Sequence, residues 1–301
     1  MASPTLLGVD AGGSRTSAVA ADAAGRVLAR AEEGAGNLRP GGEEAAAETI
    51  VRACRDVLQR ARRPAPAAVL VAGVAGAGRN LSRATLESRL REAGLAERVD
   101  VVTDAEVALE SAFGQSPGIV LIAGTGSIAW ARLPDGSLAR AGGLGALLGD
   151  QGSAYDLARR ALRAAGLALE GLSRPTRLTE RIATVTGAGS EPLMRWAAGA
   201  SVPDIAALAP LVLDAAKEHD PLARSLVSDA ARLLAEHVRV LAARFPEGPS
   251  VPVAYGGGLL AKRRDYRAKV TTRLRRLVPA AVVQRAFADG AAGALKLAMR
   301  I

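Results

Sequence analysis

The chain has 301 residues, of which 49% are hydrophobic and 23% are charged, a composition typical of a folded globular protein. This length is sufficient for two domains of ordinary size, each with its own core. A single cysteine, Cys54, excludes an intramolecular disulfide and any cysteine-built zinc or iron–sulfur site within one chain. We therefore expect a two-domain protein of a reducing compartment.

The formal net charge of +9 raises the question of nucleic-acid binding, because basic surfaces attract phosphate backbones. Only four of the 39 basic side chains are lysines, and the arginines are spread along the chain. The basic concentrations at 60–63 and 262–276 are typical of solvated helix faces. We predict no nucleic-acid partner.

No apolar run reaches the length of a membrane helix, and the uncharged segment 116–131 is interrupted by three glycines. The N-terminus enters an apolar segment without a positively charged region, so no signal peptide is predicted. The sequence therefore predicts a soluble, cytoplasmic protein with no membrane partner.

Apolar strands alternate with helical patterns, which indicates an α/β fold. The first three strands are joined by tight glycine turns and predict an antiparallel meander. Apolar residues recur at helical spacing over 43–63, so Cys54 should be buried on that helix. In chain order the first half is predicted as strands at 5–10, 17–22 and 27–32, a helix at 43–63, a strand at 67–72, a helix at 82–93, a strand at 99–103 and a helix at 105–113.

The unit of strand, glycine turn and strand occurs twice, at 5–22 and at 119–133, as in two domains of related topology. Ser153 begins a largely helical region, with Asp156 spaced for a capping box. Two or three further helices are predicted up to about 245, then a strand at 251–255 and a final C-terminal helix.

Three glycine-rich turns, at 10–16, 124–127 and 256–258, each follow an apolar strand. Glycine lets backbone N–H groups approach a phosphate because no Cβ atom is in the way. None of the turns matches the Walker A or dinucleotide-binding pattern. The sequence therefore predicts a nucleotide site of another kind.

The sequence around these turns resembles a known superfamily. LGVDAGGSRT (7–16) and IAGTGSIAW (122–130) look like the two phosphate motifs of the actin/Hsp70/hexokinase superfamily, and VPVAYGGGLL (251–260) looks like its adenosine motif. GGLGALLGDQGSAYDLARRAL (142–162) resembles the N-acetylglucosamine kinase branch of the BadF/BadG/BcrA/BcrD ATPase family. VTDA (102–105) matches the position of that branch's catalytic aspartate, and FADGAAGALKLA (287–298) its C-terminal connecting helix.

The resemblance implies two actin-like (ribonuclease H-like) domains that flank an ATP/sugar cleft. The N-terminal domain would span 1–115, completed by a C-terminal helix at about 286–301, and the second domain, with a helical insertion, would span 116–285. The implied activity is ATP-dependent, Mg²⁺-assisted phosphorylation of the 6-hydroxyl of N-acetylglucosamine or glucosamine by a homodimer.

The resemblance also implies a role for each motif residue. Asp10 would hold Mg²⁺ through water, and Asp104 would be the catalytic residue that accepts the proton of the sugar hydroxyl. The ATP-binding set is Gly12, Gly13, Ser14, Thr16, Gly124, Thr125, Gly126, Ser127, Gly256, Gly257 and Gly258. The sugar-binding set is Asn37, Asp104, Thr125, Gly143, Leu144 and Asp150.

Each of these residues could also have a purely structural role. Asp10 and Asp150 are suited to turns, Asn37 to a plain loop, Gly256–Gly258 to a tight turn and Asp104 to a helix N-cap. The two histidines, His219 and His237, fall in helical segments away from every motif, so we expect surface or packing roles for both.

Two departures from the family segment bear on the substrate. Leu144 stands where the segment usually has Trp, and Gln151 where it usually has Glu. Loss of the indole removes a large wall near the sugar, so a bulkier sugar such as N-acetylmuramate is also a candidate substrate.

Two functions other than sugar phosphorylation are compatible with the same fold. One is a dehydratase-activating ATPase, which needs cysteines to hold an iron–sulfur cluster, and the lack of such cysteines argues against it. The second is a non-catalytic sensor of a sugar or a nucleotide.

Overall fold

The computed structural model describes residues 4–39, 41–78 and 80–301. The chain divides into two compact units, of which unit 1 comprises Met1–Ser116 with Ala288–Ile301 and unit 2 comprises Pro117–Phe287. Each unit has a five-stranded mixed sheet with helices, so the α/β class is confirmed. Within the described ranges, no helix is long and apolar enough to cross a membrane.

The structure contains ten strands and thirteen helices within the described residues, numbered here in chain order. The strands are β1 (Thr5–Ala11), β2 (Thr16–Asp22), β3 (Val27–Glu33), β4 (Ala67–Val74), β5 (Ala96–Thr103), β6 (Gly118–Ala123), β7 (Ser127–Arg132), β8 (Leu138–Gly142), β9 (Val251–Gly256) and β10 (Ala281–Phe287). The helices are α1 (Glu43–Ala61), α2 (Asn80–Glu92), α3 (Asp104–Phe113), α4 (Gly145–Leu148), α5 (Ala154–Leu169), α6 (Arg177–Thr186), α7 (Ser190–Gly199), α8 (Val202–Ala206), α9 (Ala209–Lys217), α10 (Pro221–Ala242), α11 (Gly258–Lys262), α12 (Arg264–Leu277) and α13 (Gly290–Ala298).

The sheet of unit 1 has the strand order β3-β2-β1-β4-β5. The first three strands form the expected antiparallel meander, whereas β4 and β5 run parallel to β1. Parallel neighbours need a crossover, which α1 and α2 provide. Cys54 is fully buried on α1, as expected, and burial raises the pKa of its thiol to about 12.

The C-terminal helix α13 belongs to unit 1 and packs closely on β1 and α3 through glycines. A Cβ atom at position 8 would lie 2.5 Å from the carbonyl oxygen of Ala291. One at position 293 would lie 2.8 Å from the carbonyl carbon of Val107. Glycine at both positions therefore sets the distance between this helix and the sheet.

The sheet of unit 2 has the order β10-β9-β6-β7-β8, with β6, β7 and β8 antiparallel and β9 and β10 parallel to β6. Its topology is the same as that of unit 1, in agreement with the repeated pattern in the sequence. The core lies between this sheet and helices that include α5, α10 and α12.

Three parts of unit 2 differ from the sequence prediction. β8, the single turn α4 and the edge strand β10 were not predicted, and the last residues of β10 overlap the start of the segment assigned to the final helix. Five helices, α6 to α10, follow α5 in the region up to 245, rather than the predicted two or three. Short helices with their own caps, such as α8 capped by Ser201, are too brief to give a periodic pattern.

Candidate active site

The carboxyl ends of β1, β4 and β5 meet at one edge of the unit 1 sheet. Asp10 on β1 is in register with Gly73 on β4, which is in register with Val102 on β5. Asp104 follows two residues later as the first residue of α3. Strand topology therefore brings the two predicted aspartates to the same edge.

These carboxylates lie in an environment that disfavours their charge. Burial raises the pKa of Asp10 to about 7, and the negative charges of Asp104 and Asp289 add to the effect, whereas Arg15 opposes it. Burial also raises the pKa of Asp104, although backbone N–H groups of Ala105 and of Asp104 itself lower it. Two neighbouring carboxyls with raised pKa values are typical of a functional site.

The N-cap interpretation of Asp104 does not hold, because Thr103 is the N-cap of α3. The hydroxyl of Thr103 accepts from the Glu106 amide at 3.3 Å, and Glu106 Oε2 accepts from the Thr103 amide at 2.8 Å. This capping box satisfies the helix end without the carboxylate of Asp104.

The turn after β1 lies beside the loop that carries Asn37. The amide of Gly36 donates to the carbonyl of Gly12 at 3.1 Å. A Cβ atom at Gly13 would be 4.0 Å from Cγ of Asn37, so these two predicted site residues are neighbours. Gly13 and Ser14 are exposed at the tip of the turn.

Thr16 has a different environment from the rest of this turn. Its side chain is fully buried at the start of β2, and Oγ1 has no hydrogen-bond partner among the described residues. The position that a Cβ atom of Gly36 would take is in close contact with this oxygen. Thr16 therefore packs under the backbone of Gly36 and has a structural role in holding the loop that carries Asn37.

Asp289, which the sequence analysis did not assign to the site, is the N-cap of α13 and accepts from the amide of Ala292 at 3.1 Å. It also pairs with Arg30 at 2.9 Å and raises the pKa of Asp10. The signal in the sequence was an N-cap residue directly before Gly290 in the C-terminal motif.

Gly290, the first residue of α13, gives a test of how Asp10 is positioned. A Cβ atom here would lie 2.5 Å from Cγ of Asp10, so Gly290→Ala must displace this carboxylate. We expect about a 10- to 100-fold fall in kcat, since small misplacements of reacting groups have effects of this size. Steady-state kinetics measures it, with Gly34→Ala as the control, because nothing lies within 4 Å of that site. Equal kcat values for the two variants would contradict the prediction.

In unit 2 the second and third glycine turns are adjacent. Ile122 on β6 is in register with Gly256 on β9. Gly257 has φ of +83° and caps α11, and a Cβ atom there would overlap the backbone of Ala123. A Cβ atom at Gly124 would lie 3.7 Å from the amide of Gly258. The predicted phosphate and adenosine turns therefore form one glycine-lined surface of unit 2.

Asp150 is attached to the second phosphate turn. Its Oδ1 accepts from the amide of Ser127 at 3.0 Å, and Gly126 leaves room because a Cβ atom there would be 2.8 Å from that oxygen. The hydroxyl of Ser127 donates to the carbonyl of Gln151 at 2.7 Å. Ser127 thus connects the second phosphate turn to residues 150 and 151. Its partner at Gln151 is the backbone carbonyl, so this contact does not depend on the Gln side chain that stands where the family usually has Glu.

The start of α5 is joined to the same turn. Ser153 is the N-cap, as predicted, while the Asp156 carboxylate accepts from Gly152 rather than closing the box on Ser153. The amides of Ala154 and Tyr155 donate to the carbonyls of Gly124 and Thr125 at 2.9 and 3.2 Å.

Gly143 and Leu144 lie between β8 and α4. Gly143 has φ of +70°, and the guanidinium of Arg140 donates to its carbonyl at 3.3 Å. Leu144, Leu147 and Leu148 form an apolar turn with exposed fractions of 57%, 92% and 72%. These leucines contribute little to the core of unit 2 and are accessible to a ligand.

The expectation that both histidines lie away from every motif is wrong for His237. Its imidazole, on α10, is beside Gly142, where a Cβ atom would be 2.8 Å from Cε1. The sequence pattern could not reveal this, because residues 142 and 237 are brought together only by the packing of α10 against β8.

The cluster of Asp10, Asp104 and Asp289 in unit 1 is suited to a hydrated Mg²⁺ rather than to a metal whose ligands all come from the protein. Mg²⁺ is usually bound by one or two carboxylates, several waters and substrate phosphates. Over 4–39, 41–78 and 80–301, no group of three or more His, Cys, Asp or Glu side chains is arranged to hold a metal. The buried Asp10 carboxylate, repelled by two other acids, would be stabilised by such a cation.

Comparisons with known proteins place the chain in a family. The family model for the BadF/BadG/BcrA/BcrD ATPase family matches residues 7–298. N-acetylmuramic acid/N-acetylglucosamine kinase of Clostridium acetobutylicum is 28% identical over 85% of both chains. N-acetyl-D-glucosamine kinase of Dictyostelium discoideum is 26% identical over 99% of both. A Chromobacterium violaceum structure, provisionally assigned as an N-acetylglucosamine kinase, has a TM-score of 0.85 and 32% identity, covering 98% of this chain and 99% of that one. The chain therefore belongs to the BadF/BadG/BcrA/BcrD ATPase family.

Proposed function

We propose that this protein is an ATP-dependent amino-sugar kinase that phosphorylates the 6-hydroxyl of N-acetylglucosamine or glucosamine. The observation that carries the proposal is the buried Asp104 carboxylate, which is at the same sheet edge as Asp10 and is not needed as a helix cap. The similarity to proteins named as amino-sugar kinases supports the substrate class.

In unit 1, Asp104 orients the sugar hydroxyl and accepts its proton while the phosphoryl group is transferred. Its raised pKa makes the carboxylate a stronger base than an exposed aspartate. The exposed turn at Gly13 and Ser14 binds phosphate oxygens, and the neighbouring Asn37 binds the sugar. Asp10 would hold Mg²⁺ through water, and this ion would supply charge neutralisation at the transferred phosphoryl group.

In unit 2, the glycine-lined surface binds ATP, with Gly124 to Gly126 on phosphates and Gly256 to Gly258 on the adenosine. Thr125, Gly143 and Asp150 bind sugar hydroxyls. The hydrogen bond from Ser127 to Asp150 fixes this carboxylate beside the phosphate turn. Ser127 positions Asp150 through this hydrogen bond. Leu144 lies beside the substituents of the sugar.

An activator ATPase is not favoured. An iron–sulfur cluster shared between subunits requires thiolate ligands, and Cys54 is fully buried in unit 1 with a pKa raised to about 12. We also propose that the protein is cytoplasmic and forms a homodimer. The family resemblance supports the dimer, and sedimentation of the purified protein tests it.

An ADP-release assay with a panel of amino sugars tests the proposed function. We expect release that depends on N-acetylglucosamine or glucosamine, with a 6-phosphate product identified by NMR. Sugar-independent release would indicate an ATPase activator instead. Binding without turnover would indicate a sensor, and turnover on N-acetylmuramate alone would indicate the bulkier substrate.

The Leu144→Trp variant tests how the apolar turn selects among these sugars. Because Leu144 is 57% exposed, an indole fits here without repacking the core but narrows the space beside it. We expect kcat/KM for N-acetylmuramate to fall about tenfold or more, while that for N-acetylglucosamine changes less. Leu172→Trp, at another exposed leucine of unit 2, is the control. A parallel change with both sugars would overturn the prediction.

A further inference from the structure

His237 packs against the start of the segment that carries the proposed sugar ligands of unit 2. A Cβ atom at Gly142 would lie 2.8 Å from Cε1, 3.1 Å from Nε2 and 3.2 Å from Nδ1 of this histidine. Gly142 has φ of +75° and is followed directly by Gly143. The imidazole therefore occupies the space that a side chain at 142 would take and supports the backbone there.

The hydrogen bonding of this imidazole is incomplete. Nδ1 is buried and has no hydrogen-bond partner in the part of the chain that the structure describes. Buried polar atoms without a hydrogen-bond partner are uncommon in folded proteins, so this one calls for an explanation. Nδ1 is therefore available to bind a proton or a new hydrogen-bond partner.

The charge that reaches His237 is that of Asp150, which opposes the lowering of its pKa by burial. Asp150 is held at the same time by the amide of Ser127. A protonated His237 would compete with that amide for the carboxylate.

Several other charged groups on α10 and on the elements packed against it already have partners. On the strands, Arg140 of β8 donates to the Gly143 carbonyl, and Arg132 of β7 also has a partner. On the helices, Asp156 of α5 pairs with Arg159 and Arg160, and Asp214 of α9 pairs with Arg263 and Lys217. Arg273 of α12 donates to Ser228, and Glu236 pairs with Arg239 on α10 itself. The charge of Asp150 raises the pKa of His237, so we take Asp150 as the carboxylate to which this histidine is coupled.

We propose that His237 is a positioning residue for the sugar-binding segment 142–150. Neutral His237 supports Gly142 and leaves Asp150 on the Ser127 amide, whereas protonated His237 draws Asp150 away and weakens sugar binding. This inference rests on the proposed function, because it assigns Asp150 to the sugar.

Calorimetric titration of N-acetylglucosamine without ATP, between pH 5.5 and 8, tests the proposal. We expect wild-type Kd to rise by about fivefold or more toward the acidic end, a common size for coupling between two sites. His237→Gln should show a nearly constant Kd across this range. His219→Asn is the matched control, since His219 is the only other histidine, is exposed, and has φ of +66°, which Asn accepts. This control should follow wild type.

A purely structural role for His237 would change Kd by the same factor at every pH and would overturn the proposal. So would a His237→Gln variant that keeps the wild-type pH dependence. If wild type binds none of the amino sugars at any pH, the proposed function itself is wrong.

NMR titration of the His219 and His237 imidazoles, without any sugar, tests the coupling of His237 to Asp150 separately from the proposed function. Asp150→Asn removes the charge that raises the pKa of His237, so this pKa should fall while the His219 signals stay unchanged. An unchanged His237 titration in Asp150→Asn would refute the coupling, whatever the substrate is.

Discussion

Asp104→Asn should lower kcat by about 10²–10⁴-fold, the range that a positioned general base contributes. The amide keeps the size of the side chain but cannot accept the proton of the sugar hydroxyl. The Thr103–Glu106 capping box caps α3 in the variant as in wild type, so folding should be preserved. Sugar affinity should change only a few-fold, because the amide still offers a hydrogen-bond acceptor.

Steady-state kinetics and sugar titration together measure this split between turnover and binding. The control is Asp100→Asn, an exposed aspartate of β5 four residues before the site. The pH profile adds a second readout, because Asp104 must be ionised to act and its pKa is raised above the ordinary value. Wild-type kcat should fall as pH falls through that pKa, and the variant should lose this limb. A kcat near the wild-type value would remove Asp104 from the catalytic role.

The sequence predicted the parts of the fold that depend on local pattern. The buried strands and the glycine turns after them were recognisable because a strand of the β1 type is mostly apolar and is followed directly by glycines. The same pattern could not choose between Thr103 and Asp104 as the cap of α3, since both residue types favour that position. The geometry resolved this, because the hydroxyl of Thr103 makes the capping bond.

Contacts between distant segments were outside the reach of local pattern. The helical spacing of α10 predicts a buried face but does not say which strand that face meets, so His237 was separated from Gly142. Asp289 was missed for a related reason, because its effect on Asp10 arises only when α13 docks at the end of β1. The candidate site was therefore predictable at its glycine turns and aspartates, and not at the residues that position them.

Asp10→Asn should abolish most turnover and at the same time stabilise the metal-free protein. Loss of the carboxylate removes the group proposed to hold Mg²⁺, so kcat should fall by about 10²-fold or more. The pKa of Asp10 is about 7 in the folded protein and 3.8 without the environment of the fold. Between these values the folded state binds a proton that the unfolded state has lost, so stability decreases as pH rises and the full penalty is present above pH 7. Asparagine carries no charge and avoids this penalty.

Thermal unfolding in EDTA at pH 5 and pH 8 measures the effect. Asp10→Asn should have the higher Tm at pH 8, with a smaller advantage at pH 5. Addition of Mg²⁺ with ATP should raise the Tm of the wild-type protein but not that of the variant. Asp22→Asn is a control of opposite sign, because Asp22 accepts from Arg26 Nε at 2.8 Å and its pKa is lowered, chiefly by the backbone amide of Arg26. That variant should lose stability at pH 8, since the contribution of an ionised, hydrogen-bonded carboxylate is present above its unfolded pKa. If Asp10→Asn is less stable than wild type at pH 8, the Asp10 carboxylate stabilises the fold, and the expected cost of its burial and charge repulsion is contradicted.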